Sequence, residues 1–198
     1  MIFMELEKGE KLIRYARNVI EKHVKGEKIG ELDNFEEKSG VFVTIETYPA
    51  RMLRGCIGIP EPIMELRKAI KEAAISACHD PRFPDLREEE LDNIVVEVTI
   101  LTPPQLIKCK PKEYPEHIKV GRDGLIVEKG WYKGLLLPQV AVEYKWDAEE
   151  FLANTCMKAG LPPDAWLDED TKVYKFQGEI FAEEEPRGKV VRVEFKNA

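Results

Sequence analysis

Apolar positions change period along the first half of the chain, and each change predicts an element. Leu12, Ile13, Ala16, Val19, Ile20 and Val24 recur at helical spacing, with His23 beside the stripe, so residues 8–25 read as an amphipathic helix stopped by Gly26. From Gly40 to Tyr48 the period falls to two: Val41, Val43 and Ile45 alternate with Phe42, Thr44 and Glu46, as in a strand buried on one face or both. Pro49-Ala50-Arg51 reads as a turn, and the extended segment after it ends at Pro60 and Pro62. Helical spacing returns from Ile63 to Cys78, with Ile63, Leu66, Ala69, Ile70, Ala73, Ala74 and Ala77 on the inner stripe. So many alanines let this helix lie close to its neighbour, on the Gly55 face of the preceding strand.

The second half mixes the two periods. Two prolines make His79-Asp80-Pro81-Arg82-Phe83-Pro84-Asp85 a rigid loop. Ile94–Thr102 is a strand, and residues 118–138 read as two strands around glycine turns, Leu125–Lys129 and Leu135–Leu137. A further helix begins at Asp147, with Glu150 completing a capping box, and stops at Gly160; Phe151, Leu152, Thr155, Cys156 and Ala159 mark its buried face. Strands over 172–181 and 189–196 are expected to pair through the turn at Pro186-Arg187-Gly188. Regular strand–helix–strand alternation fails after residue 94. The expected class is therefore α+β: a mainly antiparallel sheet with helices packed on it, in two subdomains separated by a cleft.

Charge changes little in this picture but excludes some functions. The net charge of −7 argues against broad nucleic-acid binding through phosphates. The runs Glu88-Glu89-Glu90 and Glu183-Glu184-Glu185 read as solvated surface. Charged residues make up 34% of the chain, mostly Glu and Lys, a pattern of proteins from hot environments. No apolar run is long enough to span a membrane and the N-terminus lacks a signal-peptide pattern, so a cytoplasmic location is expected. The cysteines Cys56, Cys78, Cys109 and Cys156 form no CxxC pair, no metal-ligand spacing appears, and no cofactor is expected.

The candidate chemistry lies in Leu53-Arg54-Gly55-Cys56-Ile57-Gly58. In a regular strand Arg54, Cys56 and Gly58 share one face, and Gly55, Ile57 and Ile59 the other. A guanidinium beside the thiol would stabilise the thiolate, and Gly58 would leave open space for a small molecule. The competing reading is a cysteine that acts as a small core hydrophobe. Among the histidines (His23, His79 and His117), His79 is the candidate proton shuttle, because it ends the helix that follows the cysteine strand. A helix-end surface histidine is the alternative, and His23 reads as packed rather than ligating. Asp80 and Arg82 either pair to fix their loop or line a pocket, and Gln139 offers an amide to a ligand.

Gly40-Val41-Phe42-Val43-Thr44, the cysteine motif, Asp80-Pro81-Arg82-Phe83, Leu136-Leu137-Pro138-Gln139-Val140 and Lys158-Ala159-Gly160-Leu161 occur in the order of the AMMECR family, which the chain resembles over residues 8–182. That family takes its name from a chromosomal region deleted in Alport syndrome with mental retardation, midface hypoplasia and elliptocytosis. The resemblance implies one domain of two subdomains over residues 8–182, with residues 183–198 as a C-terminal strand completing the fold. It also implies kinship with proteins encoded beside, or fused to, Memo-like and radical-SAM proteins, hence a step in a modification pathway. Two functions follow as expectations. One is a cysteine-dependent enzyme or enzyme component using Cys56, with Arg54, Gly55, Gly58, Asp80, Arg82 and Gln139 around a small-molecule or protein ligand. The other is a non-catalytic binding module in which the motif is structural.

Overall fold

A computed structural model describes residues 4–193. Their backbones fall into two compact units: one runs to Leu101 and resumes at Glu179, and the other spans Thr102–Gly178. The class is α+β, and every strand pair with a defined register is antiparallel.

In the first unit, helix α1 (Leu6–Val24) precedes strands β1 (Val41–Thr47) and β2 (Leu53–Ile59), helix α2 (Leu66–Ala77) and strand β3 (Ile94–Leu101). Strand β1 lies between β2 and β3, which leaves β2 at the sheet edge. The period of two in β1 decides the layers. Val41, Val43 and Ile45 are fully buried in one core with Leu12, Ile13, Ala16, Val19 and Ile20 of α1 and the stripe of α2. The expected stripe of α2 is one turn too long at its start: the helix begins at Leu66, and Ile63 is exposed.

The acidic run at residues 183–185 is not wholly solvated. Glu183 is fully buried and faces Arg17, also buried, in a bidentate ion pair. Arg17 further donates to the carbonyls of Leu91 and Ile94, and Val96 N–H donates to Glu183, so both ions are satisfied. Charge runs mark surface only on average; a single member can be recruited where a buried arginine needs a carboxylate.

The second unit holds β4 (Gln105–Leu106), β5 (Asp123–Lys129), β6 (Tyr132–Leu136), α3 (Pro138–Glu143) and α4 (Ala148–Lys158). Strand β7 (Lys172–Glu183) pairs with β4 and β5, and its last residues, in the first unit, pair with β8 (Val190–Val193). The expected continuation of that last strand over residues 194–196 lies outside the described residues. The capping box of α4 is present in both directions, Glu150 N–H to Asp147 Oδ1 at 2.8 Å and Asp147 N–H to Glu150 Oε2 at 3.0 Å. Leu125, Val127, Phe151, Leu152, Cys156 and Val173 form this unit's core. Helix α3 is an addition to the sequence reading: Pro138, expected to end a strand, instead sits at the first helical position, where its missing N–H costs nothing.

Candidate functional site

Cys56 sits on the edge strand, opposite Thr44 of β1, and Thr44 lies opposite Glu97 of β3. The three side chains therefore stand in one row across three strands, on the sheet face turned away from α1 and α2. The Thr44 hydroxyl donates to Cys56 Sγ at 3.2 Å. Both backbone groups of Cys56 point outward from the sheet: its N–H donates to Asp80 Oδ2 at 2.9 Å and its carbonyl accepts from Arg82 Nη2 at 3.2 Å. Cys56 and Thr44 are thus a pair without mutual backbone bonds, the kind in which side chains come closest.

The Asp80–Arg82 loop is the cap that covers this edge. Asp80 is buried and takes Arg82 through Nε (3.0 Å), Nη2 (2.6 Å) and the backbone N–H (3.0 Å). The Arg82 guanidinium holds the Asp80 carboxyl well below the usual carboxylate range. Arg82 remains largely exposed at its side chain, at 56%. Of the two roles expected for these residues, the structure displays the loop-fixing ion pair, with Asp80 also a backbone cap for Cys56.

Two expectations about the motif need correction. Arg54 does not lie beside the thiol. The register steps from Ile45–Gly55 to Glu46–Leu53, so Arg54 is the extra residue of a β-bulge, and a bulge re-aims the side chain it carries. The guanidinium instead binds Glu90 at 2.8 and 3.1 Å and the Asp85 carbonyl at 3.3 Å, with Phe83 at 6.0 Å. Nor does Gly58 leave an open space. A Cβ there would stand 2.3 Å from the Phe42 ring, which already fills the volume. Gly55 does meet α2 as expected: a Cβ would stand 2.3 Å from the Ala77 carbonyl oxygen.

His79 is placed with other partners. Its Nδ1 lies 2.9 Å from Asp85 Oδ1 and its Nε2 2.7 Å from Nε2 of His23, so both ring nitrogens are engaged away from Cys56. Gln139 is exposed on α3, in the second unit. Two members of the row, Thr44 and Glu97, escape a reading by motif, because neither belongs to the cysteine segment. Only the strand register brings them to Cys56.

The electrostatics of the row invert the expected activation. Burial pushes the Cys56 thiol up, against the opposing influence of the Thr44 hydrogen bond and of Arg82. Glu97 is pushed up to about 7, first by burial and then by the neighbouring Glu46 carboxylate. The resting site is therefore a protonated thiol with a carboxyl group poised near neutrality. Cys78, by contrast, is pushed up to about 12 by burial, and Cys156 to about 11 for the same reason; both are core thiols. All four cysteines are unbridged.

The family model AMMECR1 matches residues 13–181. The chain belongs to the AMMECR1 family. Among curated relatives, Protein MJ0810 of Methanocaldococcus jannaschii is 60% identical over 196 residues, covering 96% of this chain and 98% of that one. Protein PH0010 of Pyrococcus horikoshii is 61% identical over 193 residues, covering 93% and 94%. The crystal structure of uncharacterized protein PH0010 from Pyrococcus horikoshii matches with a TM-score of 0.81 at 59% identity, covering 94% of this chain and 97% of that one. AMMECR1 membership accounts for the order of the motifs and for the α+β architecture. Among the described residues, no helix is long and apolar enough to cross a membrane.

Proposed function

We propose that this AMMECR1-family protein is a cysteine-dependent enzyme or enzyme component in which Cys56 reacts as a thiol deprotonated on demand, with Glu97 as the proton acceptor. The observation that supports it is the row Cys56–Thr44–Glu97, in which a carboxyl group near neutrality shares a strand face with a raised thiol. A nucleophile that is weak at its own pKa is activated by a nearby base, and the best base titrates near the working pH. Asp80 and Arg82 hold the strand edge. The location we propose is cytoplasmic, the substrate a small molecule or a protein, and the company that of Memo-like and radical-SAM proteins.

The test is alkylation of Cys56 by iodoacetamide against pH, read by peptide mass spectrometry so that Cys109 does not interfere. Sulfur attacks the methylene carbon, iodide leaves with the bonding pair, and the thiol proton passes to Glu97 through water, since Glu97 stands two strands, roughly 9–10 Å, from Cys56. Two limbs are expected, one rising near neutrality and one at alkaline pH; Glu97→Gln removes the first and keeps the second. A single alkaline limb in both proteins overturns the proposal.

A second reading has its own support. Gly55 and Gly58 are both explained by close packing, as a structural motif in a binding module requires. Under that reading Cys56→Ser lowers stability and leaves ligand or partner binding unchanged.

A further inference from the structure

Helices α1 and α2 bring two of the three histidines together. His23 stands in the last turn of α1, and His79 follows Cys78, the C-terminal cap of α2. Their Nε2 atoms are 2.7 Å apart, and the ring centroids are 5.0 Å apart. That centroid gap is close to the nitrogen gap plus the two ring radii, so the nitrogens are turned toward each other.

Behind His79, Asp85 Oδ1 lies 2.9 Å from Nδ1. A carboxylate at that nitrogen fixes the neutral tautomer with its proton on Nδ1 and leaves Nε2 as a lone pair. We propose that His23 and His79 form a two-nitrogen site for a divalent transition metal of the zinc type, with Asp85 orienting His79 from behind and water completing the coordination.

The resting contact is a hydrogen bond in which His23 Nε2–H donates to His79 Nε2. Moving the His23 proton to its own Nδ1 exposes a second lone pair with no net release of protons. Two nitrogens held at about 2.0–2.1 Å from a tetrahedral zinc are about 3.3–3.4 Å apart, so the rings must open by well under an ångström from 2.7 Å and each must tilt by about 35° to aim its lone pair at the metal. The site has room to do so, since the His79 side chain is 48% exposed. Among the described residues no group of three or more His, Cys, Asp or Glu is placed to hold a metal, which is why the remaining positions fall to water. A bound ion would tie the end of α1 to the loop after α2.

The test uses Zn2+ titrated by calorimetry into the metal-stripped full chain, with Mg2+ as the control. One equivalent of zinc is expected to bind and raise the melting temperature, while magnesium does neither. His23→Gln and His79→Gln each weaken zinc binding at least tenfold, and Asp85→Asn weakens it about tenfold through the lost orientation of His79. The double variant Cys56→Ser, Cys109→Ala keeps the affinity. In the unmutated chain, zinc shifts the ring NMR signals of His23 and His79 and leaves those of His117 in place, a reading that needs no variant to fold. Unshifted His23 or His79 signals, or binding abolished by the cysteine substitutions, overturns the proposal.

Discussion

The two faces of the strand trio β2–β1–β3 are built from the same alternating residues and behave oppositely. Toward the helices, Val41, Val43, Ile45, Val96 and Val98 are apolar and fully buried, and Gly55 lets the end of α2 touch the backbone of β2. Away from the helices, Thr44, Cys56 and Glu97 form a half-buried polar row, and beside it the Phe42 ring is laid over Gly58. The difference separates two things the glycine-framed motif seemed to combine. Its glycines answer to packing, whereas the partners of its cysteine come from strands outside the motif.

Substitution of the two glycines is the largest test of that separation. At Gly55 the obstacle is backbone, the Ala77 carbonyl at 2.3 Å from an added Cβ. Backbone of a packed helix cannot step aside, so Gly55→Ala is expected to cost about 3 kcal/mol, the upper end for overpacking. At Gly58 the obstacle is a ring that can rotate, also at 2.3 Å, and Gly58→Ala is expected to cost about 1 kcal/mol. Urea midpoints compare the two. Equal losses would mean that the Phe42 ring is locked as firmly as the helix, and the contrast between the faces would fail.

The glycine contacts also mark how far the sequence could be read. The stripe of α1, the alternation of β1 and the capping box at Asp147 are local patterns, and each appears where its period places it, whereas the stripe of α2 starts one turn later than expected. The Gly55 contact was legible too, because an alanine-rich helix beside a glycine strand has little else to pack against. Arg54 was not. A period of two holds only in an unbroken ladder, and one extra residue between the Ile45 and Glu46 pairings sends that side chain to Glu90. Glu97 and Thr44 were invisible as site residues for a different reason. They look like ordinary strand residues, and only antiparallel register, a tertiary property, aligns them with Cys56. The same holds for His23 and His79, which lie 56 positions apart in sequence and meet only because α1 and α2 pack together.

The next effect is one of pH and belongs to the polar face alone. Glu97 titrates at about 7 in the folded chain, above the ordinary carboxylate value of the unfolded chain. The folded state therefore holds the extra proton between these two values, and its stability falls as pH rises from about 4.3 through 7. Glu97→Gln removes the ionisation and is expected to stabilise the protein by up to about 3 kcal/mol at pH 8, with the gain vanishing below about pH 4. Chemical unfolding at pH 4 and at pH 8 measures this. A gain of equal size at both would show that the carboxyl is raised by nothing in the fold, and the proton-acceptor role would go with it.

The smallest effect concerns a single hydroxyl. Thr44 donates to the Cys56 sulfur at 3.2 Å, and this bond partly offsets the upward push of burial on the thiol. Thr44→Val keeps the shape of the side chain and removes the donor. Stability should change by less than about 1 kcal/mol, because sulfur is a weak acceptor and the lost bond is worth little net energy. The chemistry should move more clearly than the stability. With the donor gone, the Cys56 titration rises further and its alkylation at pH 8 slows, while the neutral limb assigned to Glu97 stays in place. Glu97→Gln should do the reverse, erasing the neutral limb and sparing the alkaline one. Two substitutions on one strand face, separable by which limb they touch, distinguish a thiol served by two neighbours from a cysteine that merely fills a gap at the sheet edge.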